Sequence, residues 1–413
     1  MKVLLDARVM PGLSGGVFQV IRAIARELFE EPDPALAPTL LTYSGSELAE
    51  VGLPTVLVPQ PSSTSSETSL RALARRVPGA QRAHHVLRTA WPQLDQSPIQ
   101  VDGFDVVHLA IQHGFNSSRP TVFSPYDLQH EHLPAMFKAA DRRDRRFRYR
   151  EFAQRAQAVV VMNGWTARDV LERLDVRRER IFVVPLGISK PMSLGSEIHA
   201  VITTPATRLS LGPAFALYPA QTWSHKNHLG LGRALQDLRA SGLDVPVVCP
   251  GHRTAEHRHI EARLAKMGVD DLIVFPGYVS DIQMEVLYRR ARMLVFPSLF
   301  EGGGMPIFEA MARGLPVACS DVCGLQVATD GAAVLFDPRQ PAAIAAAIES
   351  VWTDESVRAR LGASGLQVAN RYTWAEACAR LRAIYKLVGG AELSELDGDA
   401  LVRSRSWQSE RST

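Results

Sequence analysis

This sequence predicts an α/β chain built as two doubly wound halves, and three observations support that. Short β-branched runs alternate with longer helical patterns almost throughout, the mark of βαβ units on parallel sheets. The alternation lapses across residues 188–212 and then restarts. With 413 residues, 46% hydrophobic and 22% charged, the chain can bury two or three ordinary globular cores.

The first half opens on VLLDA (3–7), a strand, followed by the glycine-bearing loop GLSGG (12–16) and an amphipathic helix over 17–29. Further strands are expected at 39–43, 55–59, 106–110, 121–125, 158–162 and 181–185. The second half places strands at 215–220, 246–251, 272–277, 293–298, 316–320 and 332–336. WAEACARLRAIYKLVGG (374–390) reads as a helix closed by glycines, and the charged, serine-rich tail from Ala391 reads as disordered. The expected domains are 1–187 and 188–372, a crossover helix at 373–390 packing on the first domain, and a disordered tail at 391–413.

Composition excludes several classes. A formal charge of +3 is too small to argue for nucleic acid. Four cysteines, Cys249, Cys319, Cys323 and Cys378, stand singly in apolar contexts, which fits buried thiols in a reducing cytosol better than zinc. The N-terminus meets Asp6 and Arg8 too soon for a signal peptide, and no run reaches membrane-span length. Two basic runs break the pattern: 69–91, with five arginines and no acid, and 138–156, with eight Lys/Arg against three acids. They read as solvated helix faces or, more sharply, as a surface for anionic lipid headgroups. Localisation is therefore expected to be cytoplasmic, with peripheral association at the cytoplasmic membrane face as the sharper reading.

The most informative stretch is FPSLFEGGGMPIFEAMARGLPVACS (296–320). MLVFPS is a strand, Pro306 suits a first helical turn, and Gly314 suits a left-handed terminator, so 306–313 is a short helix. A glycine loop ahead of a helix lets a ligand approach unpaired N–H groups without Cβ obstruction. Glu301 precedes that loop and Glu309 lies about one turn into the helix, so they face different parts of one ligand. Carboxylates accept paired hydrogen bonds from vicinal diols such as those of ribose or a pyranose. The bland alternative is a plain tight loop with an exposed helical glutamate.

Glu-x7-Glu within this setting resembles the signature of retaining family 4 glycosyltransferases of GT-B fold. YPAQTWSHKNH (218–228) resembles that family's diphosphate loop, FPGYVSD (275–281) its nucleobase segment, GLSGG its N-terminal glycine loop, and VVPLGIS (183–189) the end of its first domain. The resemblance implies that Glu301 lies beside the donor sugar and that Glu309 holds the ribose. It implies backbone contacts to sugar and distal phosphate around Gly303, Gly304 and Met305, with Gly15 and Gly16 also donor-binding. Tyr278 and Val279 would lie against the base, and Lys226 would pair with the diphosphate, where charge grows as the nucleotide departs. Many members carry an arginine shortly before that lysine; here Gln221 or Thr222 stands there, with His225 and Arg253 as possible substitutes.

SPYDLQHEHLP (124–134) resembles the segment that usually carries His-Asp, with Tyr126 in place of the histidine. Asp127 and His130 are the candidates there for contacting the sugar or orienting the acceptor, and His113 is a further loop histidine near the same sheet edge. No Asp-x-Asp follows a strand; Asp397-Gly398-Asp399 lies in the tail, so no metal and no cofactor is called for.

The expected fold is therefore GT-B, two Rossmann-like domains facing across a cleft, with a C-terminal helix crossing back to the first. The expected reaction is transfer of a hexose from a GDP- or UDP-sugar to a glycan or lipid-linked acceptor, with retention. A sugar-nucleotide epimerase and a non-catalytic nucleotide-sugar-binding partner remain open beside it. A dinucleotide oxidoreductase lacks its G-x-G-x-x-G after the first strand.

Overall fold

A computed structural model describes residues 1–9, 15–60, 99–112, 114–193 and 214–408. The arginine run at 69–91, His113, Gly12 and most of the expected linker lie outside the described residues. The chain divides into two compact units, Met1–Pro185 with Ala375–Thr413, and Leu186–Trp374.

The first unit carries β1 (Lys2–Asp6), α1 (Gly15–Glu30), β2 (Ala37–Tyr43), β3 (Thr55–Val58), β4 (Val106–Leu109), β5 (Thr121–Phe123), the one-turn helix α2 (Gln129–His132), α3 (Ala139–Arg155), β6 (Ala158–Val161), α4 (Gly164–Arg173) and β7 (Ile181–Val183). Its strands pair in the order β3-β2-β1-β4-β5-β6-β7, every pairing parallel. Because β1 pairs with β2 on one side and β4 on the other, the chain changes direction between β1 and β4, the switch point where open α/β sheets bind ligands. β4 and β6 are buried at every position, which is why they read as unbroken apolar runs rather than alternating ones.

The second unit carries β8 (Ala216–Leu217), α5 (His228–Ala240), β9 (Val247–Pro250), α6 (His257–Met267), β10 (Ile273–Gly277), α7 (Asp281–Arg290), β11 (Met293–Phe296), α8 (Met305–Met311), β12 (Val317–Ser320), α9 (Leu325–Thr329), β13 (Ala333–Phe336), α10 (Pro341–Thr353) and α11 (Glu355–Ala369). Its strand order is β10-β9-β8-β11-β12-β13, again parallel, with the switch point between β8 and β11. A single apolar core of strand residues and the inner faces of α5, α8 and α10 fills this unit.

After Trp374 the chain returns to the first unit. α12 (Trp374–Gly389) buries Cys378, Leu381 and Tyr385, and the Tyr385 hydroxyl lies 2.7 Å from His108 Nδ1 on β4. The other ring nitrogen of His108 meets Ser124 Oγ at 2.8 Å. Burial pushes the His108 pKa down to about 3, so the ring is a neutral cross-brace between helix and sheet.

The tail corrects a sequence expectation. Instead of being disordered, it forms α13 (Glu395–Arg405), opened by a capping box in which Ser394 and Asp397 satisfy each other's backbone N–H groups. Asp397 also accepts from Lys386 at 3.0 Å, and Arg403 pairs with Glu376 at 2.8 Å. Trp407 is buried in the first unit's core, and its indole N–H donates to Ile181 O at 3.3 Å. The composition misled because few apolar residues are needed when they are spaced to one side: Ala400, Leu401 and Trp407 dock, and the charges pair with α12.

Candidate functional site

The second unit gathers its polar side chains at the C-terminal ends of β8 and β11. After β8 the chain forms a 3-10 turn over Ser224–Lys226, closed by Asn227 in the left-handed region at φ 57°. Two ties hold this turn against the loop after β11, and a third reaches the loop after β13. Leu299 N–H donates to His225 O at 2.7 Å, and Asn227 Nδ2 donates to Pro297 O at 3.0 Å and to Pro338 O at 2.8 Å. Gly230 leaves room for that asparagine, since a Cβ there would stand 2.4 Å from Asn227 Oδ1. From below, the fully buried Tyr218 donates its hydroxyl to Lys226 O at 2.5 Å.

Lys226 Nζ and the Glu301 carboxylate, so held, form an ion pair, with side chains 18% and 11% exposed. The ammonium also sits 5.4 Å from the centre of the Phe296 ring. The sequence placed these residues in separate motifs; the switch point brings them together. The loop after Glu301 ends at Gly304, whose φ of 60° caps α8 in the left-handed region, where a side chain would be strained. α8 starts at Met305, one residue before the expected Pro306, and Gly314 follows with φ 67°.

Glu309 is half-buried on α8 and accepts the Tyr288 hydroxyl at 2.7 Å. Burial raises its pKa, opposed by the Tyr288 hydrogen bond and the nearby Arg313 charge. Arg313 is braced by the buried Glu285 at 2.6 Å, and its Nη1 donates to Glu309 O at 2.8 Å. Glu301 and Glu309 thus have separate partners and do not form a carboxylate pair.

Of the two candidates for the missing arginine's place, His225 adds no cation beside Lys226. Burial, then the adjacent Lys226 charge, pushes the His225 pKa down to about 3, so its ring is neutral. Arg253 Nη2 is turned to Phe275 O at 2.7 Å. Gln221 Oε1 accepts the Trp223 indole N–H at 2.6 Å, and Thr222 is buried against Thr254. Tyr278 is 62% exposed and stacks on His252, with ring centres 4.8 Å apart and planes 20° off parallel. Val279 belongs to the core, so only its main chain faces outward chemistry.

In the first unit, Gly15 opens α1 and Gly16 follows in its first turn, with open space around its Cβ position. Tyr126 adopts φ 63°, an uncommon conformation for a bulky residue, and its hydroxyl donates to Ala110 O at 2.9 Å. Asp127 follows it and accepts Gln129 N–H at 3.1 Å. His130 sits on α2. It is wholly buried, packed edge-on to Tyr149 with ring centres 5.0 Å apart, and neither ring nitrogen makes a hydrogen bond. Its Nε2 lies 3.5 Å from Glu131 Oε1, and burial takes its pKa down to about 4.

The neighbouring His132, which sequence reasoning passed over, is partly exposed. Its Nε2 lies 2.9 Å from Asp169 Oδ2, and its ring packs on Trp165 at 5.1 Å. The only sequence signal was its spacing within HEH. Also missed was the pairing of Asp6, the last residue of β1, with Arg8 two residues further on.

Two parallel sheets, each with polar side chains at its switch point, define a two-domain α/β protein. The chain belongs to the glycosyl transferases group 1 family: that family's model matches residues 204–368, and the model of Glycosyltransferase Family 4 matches residues 14–190. It is 27% identical over 380 residues to the O-antigen chain mannosyltransferase B of Escherichia coli, covering 89% of this chain and 93% of that one. Among solved structures it resembles sucrose-phosphate synthase from Thermosynechococcus elongatus, with TM-score 0.69 and 18% identity, covering 95% of this chain and 100% of that one. Anabaena HepE in complex with UDP and glucose matches with TM-score 0.67 and 16% identity over 94% of this chain and 100% of that one. These two likenesses carry the fold, which is GT-B.

Proposed function

We propose that this glycosyltransferase moves a hexose from a nucleoside diphosphate sugar to a hydroxyl of a glycan or lipid-linked acceptor, with retention at the anomeric carbon. The observation that carries the reading is the Lys226–Glu301 pair at the β8/β11 switch point, with Glu309 on the helix that follows. Lys226 stabilises the charge that grows on the departing diphosphate, supported by N–H groups around Gly303 and Met305. Glu301 aims the ammonium and accepts hydrogen bonds from donor sugar hydroxyls. Glu309 accepts from the ribose diol, and the exposed Tyr278 on His252 offers a flat surface to the base.

No protein nucleophile has been assigned, so attack on the face the leaving group vacates, assisted by its own phosphate oxygen, is the proposed route to retention. The acceptor belongs to the first unit, near Asp127 and the His132–Asp169 pair. Mannose is the first donor sugar to test, since the O-antigen relative is named a mannosyltransferase. A panel of GDP-, UDP-, ADP- and dTDP-sugars, read by thermal shift and then by hydrolysis or transfer, tests the reading. Stabilisation by one nucleotide family with release of its diphosphate supports it, and binding without turnover of any donor overturns the enzymatic part.

No helix among the described residues is long and apolar enough to cross a membrane. α3 instead turns Arg143, Arg146, Phe147 and Arg150 outward, with Met136 and Lys138 exposed just before it. An apolar ring among guanidinium groups supports contact with an anionic membrane surface, where a lipid-linked acceptor would lie.

A further inference from the structure

Arg8 stands two residues beyond β1, at the C-terminal edge of the first unit's sheet and beside its β1/β4 switch point. Its Nε and Nη2 donate to the two oxygens of Asp6, each at 2.8 Å, and Asp6 is wholly buried. The guanidinium lies over the Phe115 ring, 5.2 Å from its centre, and its side chain is 17% exposed. Tyr43, which ends β2, is within electrostatic reach of both groups. The carboxylate thus holds one edge of the guanidinium and the Phe115 ring covers a face.

Two other buried arginines, Arg313 and Arg358, use more of their donors within the chain. Arg313 spends Nε and Nη2 on Glu285 and Nη1 on the carbonyl of Glu309. Arg358 turns Nη1 to Val351 O at 2.9 Å and Trp352 O at 2.7 Å, besides pairing with Glu355. Arg8 differs: among the described residues its Nη1 makes no hydrogen bond. Of five guanidinium N–H groups, a two-point carboxylate brace uses two and leaves three.

We propose that Arg8 binds a phosphoryl group of the acceptor. The inference deepens the proposed function, because it rests on the acceptor belonging to the first unit. Charge-assisted hydrogen bonds from a planar fork to phosphate oxygens are stronger than those to a sugar hydroxyl, so an anionic group is the partner this geometry selects. Asp6 fixes the fork before the ligand arrives, which lowers the ordering cost of binding. A phosphorylated water-soluble sugar and a lipid-linked phosphate present the same group.

The test uses the full-length chain carrying Lys226→Ala, which weakens phosphate binding at the donor site. Inorganic phosphate is titrated and followed by phosphorus NMR line width. Saturable binding is expected, and adding Arg8→Gln should weaken it at least tenfold. Arg8→Lys should weaken it less, since it keeps the charge and loses the fork; this variant carries the test if Arg8→Gln does not fold. Competition with mannose 6-phosphate and with a polyprenyl phosphate in neutral vesicles then identifies the source, and displacement by either supports the proposal. No saturable binding in the parent, or equal binding in all three proteins, overturns it. Nucleotide-sugar binding by the unaltered chain is measured separately, so failure of the donor reading is told apart from failure here.

Discussion

Lys226 and Glu301 are 75 residues apart in sequence, yet their side chains form an ion pair at the ends of neighbouring strands. The pair is built from the backbone up. Tyr218 fixes the Lys226 carbonyl, and Asn227 ties the same turn to the loop that leads to Glu301.

Lys226→Ala should therefore lose roughly two to three orders of magnitude in turnover, the scale for removing one fixed transition-state donor. Lys226→Arg should recover only part, because a planar guanidinium cannot reproduce a point ammonium. If Lys226 and the loop N–H groups carry the leaving-group charge, turnover persists in excess chelator. Activity abolished by chelator and restored by Mn²⁺ would reject that mechanism.

Glu309→Ala should raise the donor KM and lower kcat/KM at least tenfold, about 1.4 kcal/mol of lost transition-state binding. Tyr288→Phe is the informative companion, since it removes the partner of Glu309 seen here and leaves the carboxylate in place. The ribose assignment requires the glutamate change to be the more damaging to donor KM. Equal effects would make Glu309 a structural partner of Tyr288.

Acid sensitivity should begin well above the carboxylate range. Burial holds His108 and His228 near a pKa of about 3 and His130 near about 4, against an ordinary value of 6.5. Between those limits the unfolded chain binds protons that the folded rings refuse, so stability is full above pH about 6.5 and falls as pH drops toward the folded values. Tm should decline from pH 7 to pH 5, and His108→Gln should flatten part of that slope. A Tm constant over the interval would contradict the buried neutral state of these rings.

The C-terminal helix should be integral to the first unit. Trp407→Ala removes a buried indole and its hydrogen bond to Ile181 O, and should cost about 3–5 kcal/mol in denaturant unfolding. Deleting residues from Ala391 onward should cost at least as much. Unfolding midpoints matching the parent in both cases would show the tail to be dispensable.

Membrane contact through α3 should be electrostatic. Co-sedimentation with anionic vesicles is expected to weaken with added salt and with Arg143→Ser and Arg150→Ser together. Equal association with neutral vesicles would remove the argument from charge.

The sequence by itself determined the order of strands and helices, the two parallel sheets and the glycine loop between Glu301 and Glu309. Those depend on local periodicity and on residues such as Pro306 and Gly314, whose backbone preferences act wherever the chain goes. Residues 296–320 were legible for that reason, down to a helix start displaced by one residue. Tertiary structure alone decided which side chains meet. It paired Lys226 with Glu301, set Tyr288 beneath Glu309 and put His130 inside while His132 stayed partly exposed. It also folded a tail whose composition argued for disorder, because docking depends on where Leu401 and Trp407 fall on a preformed surface, and composition does not record that. Burial and proximity are properties of packed elements, and a pattern along one chain carries them only where both partners lie in the same short segment.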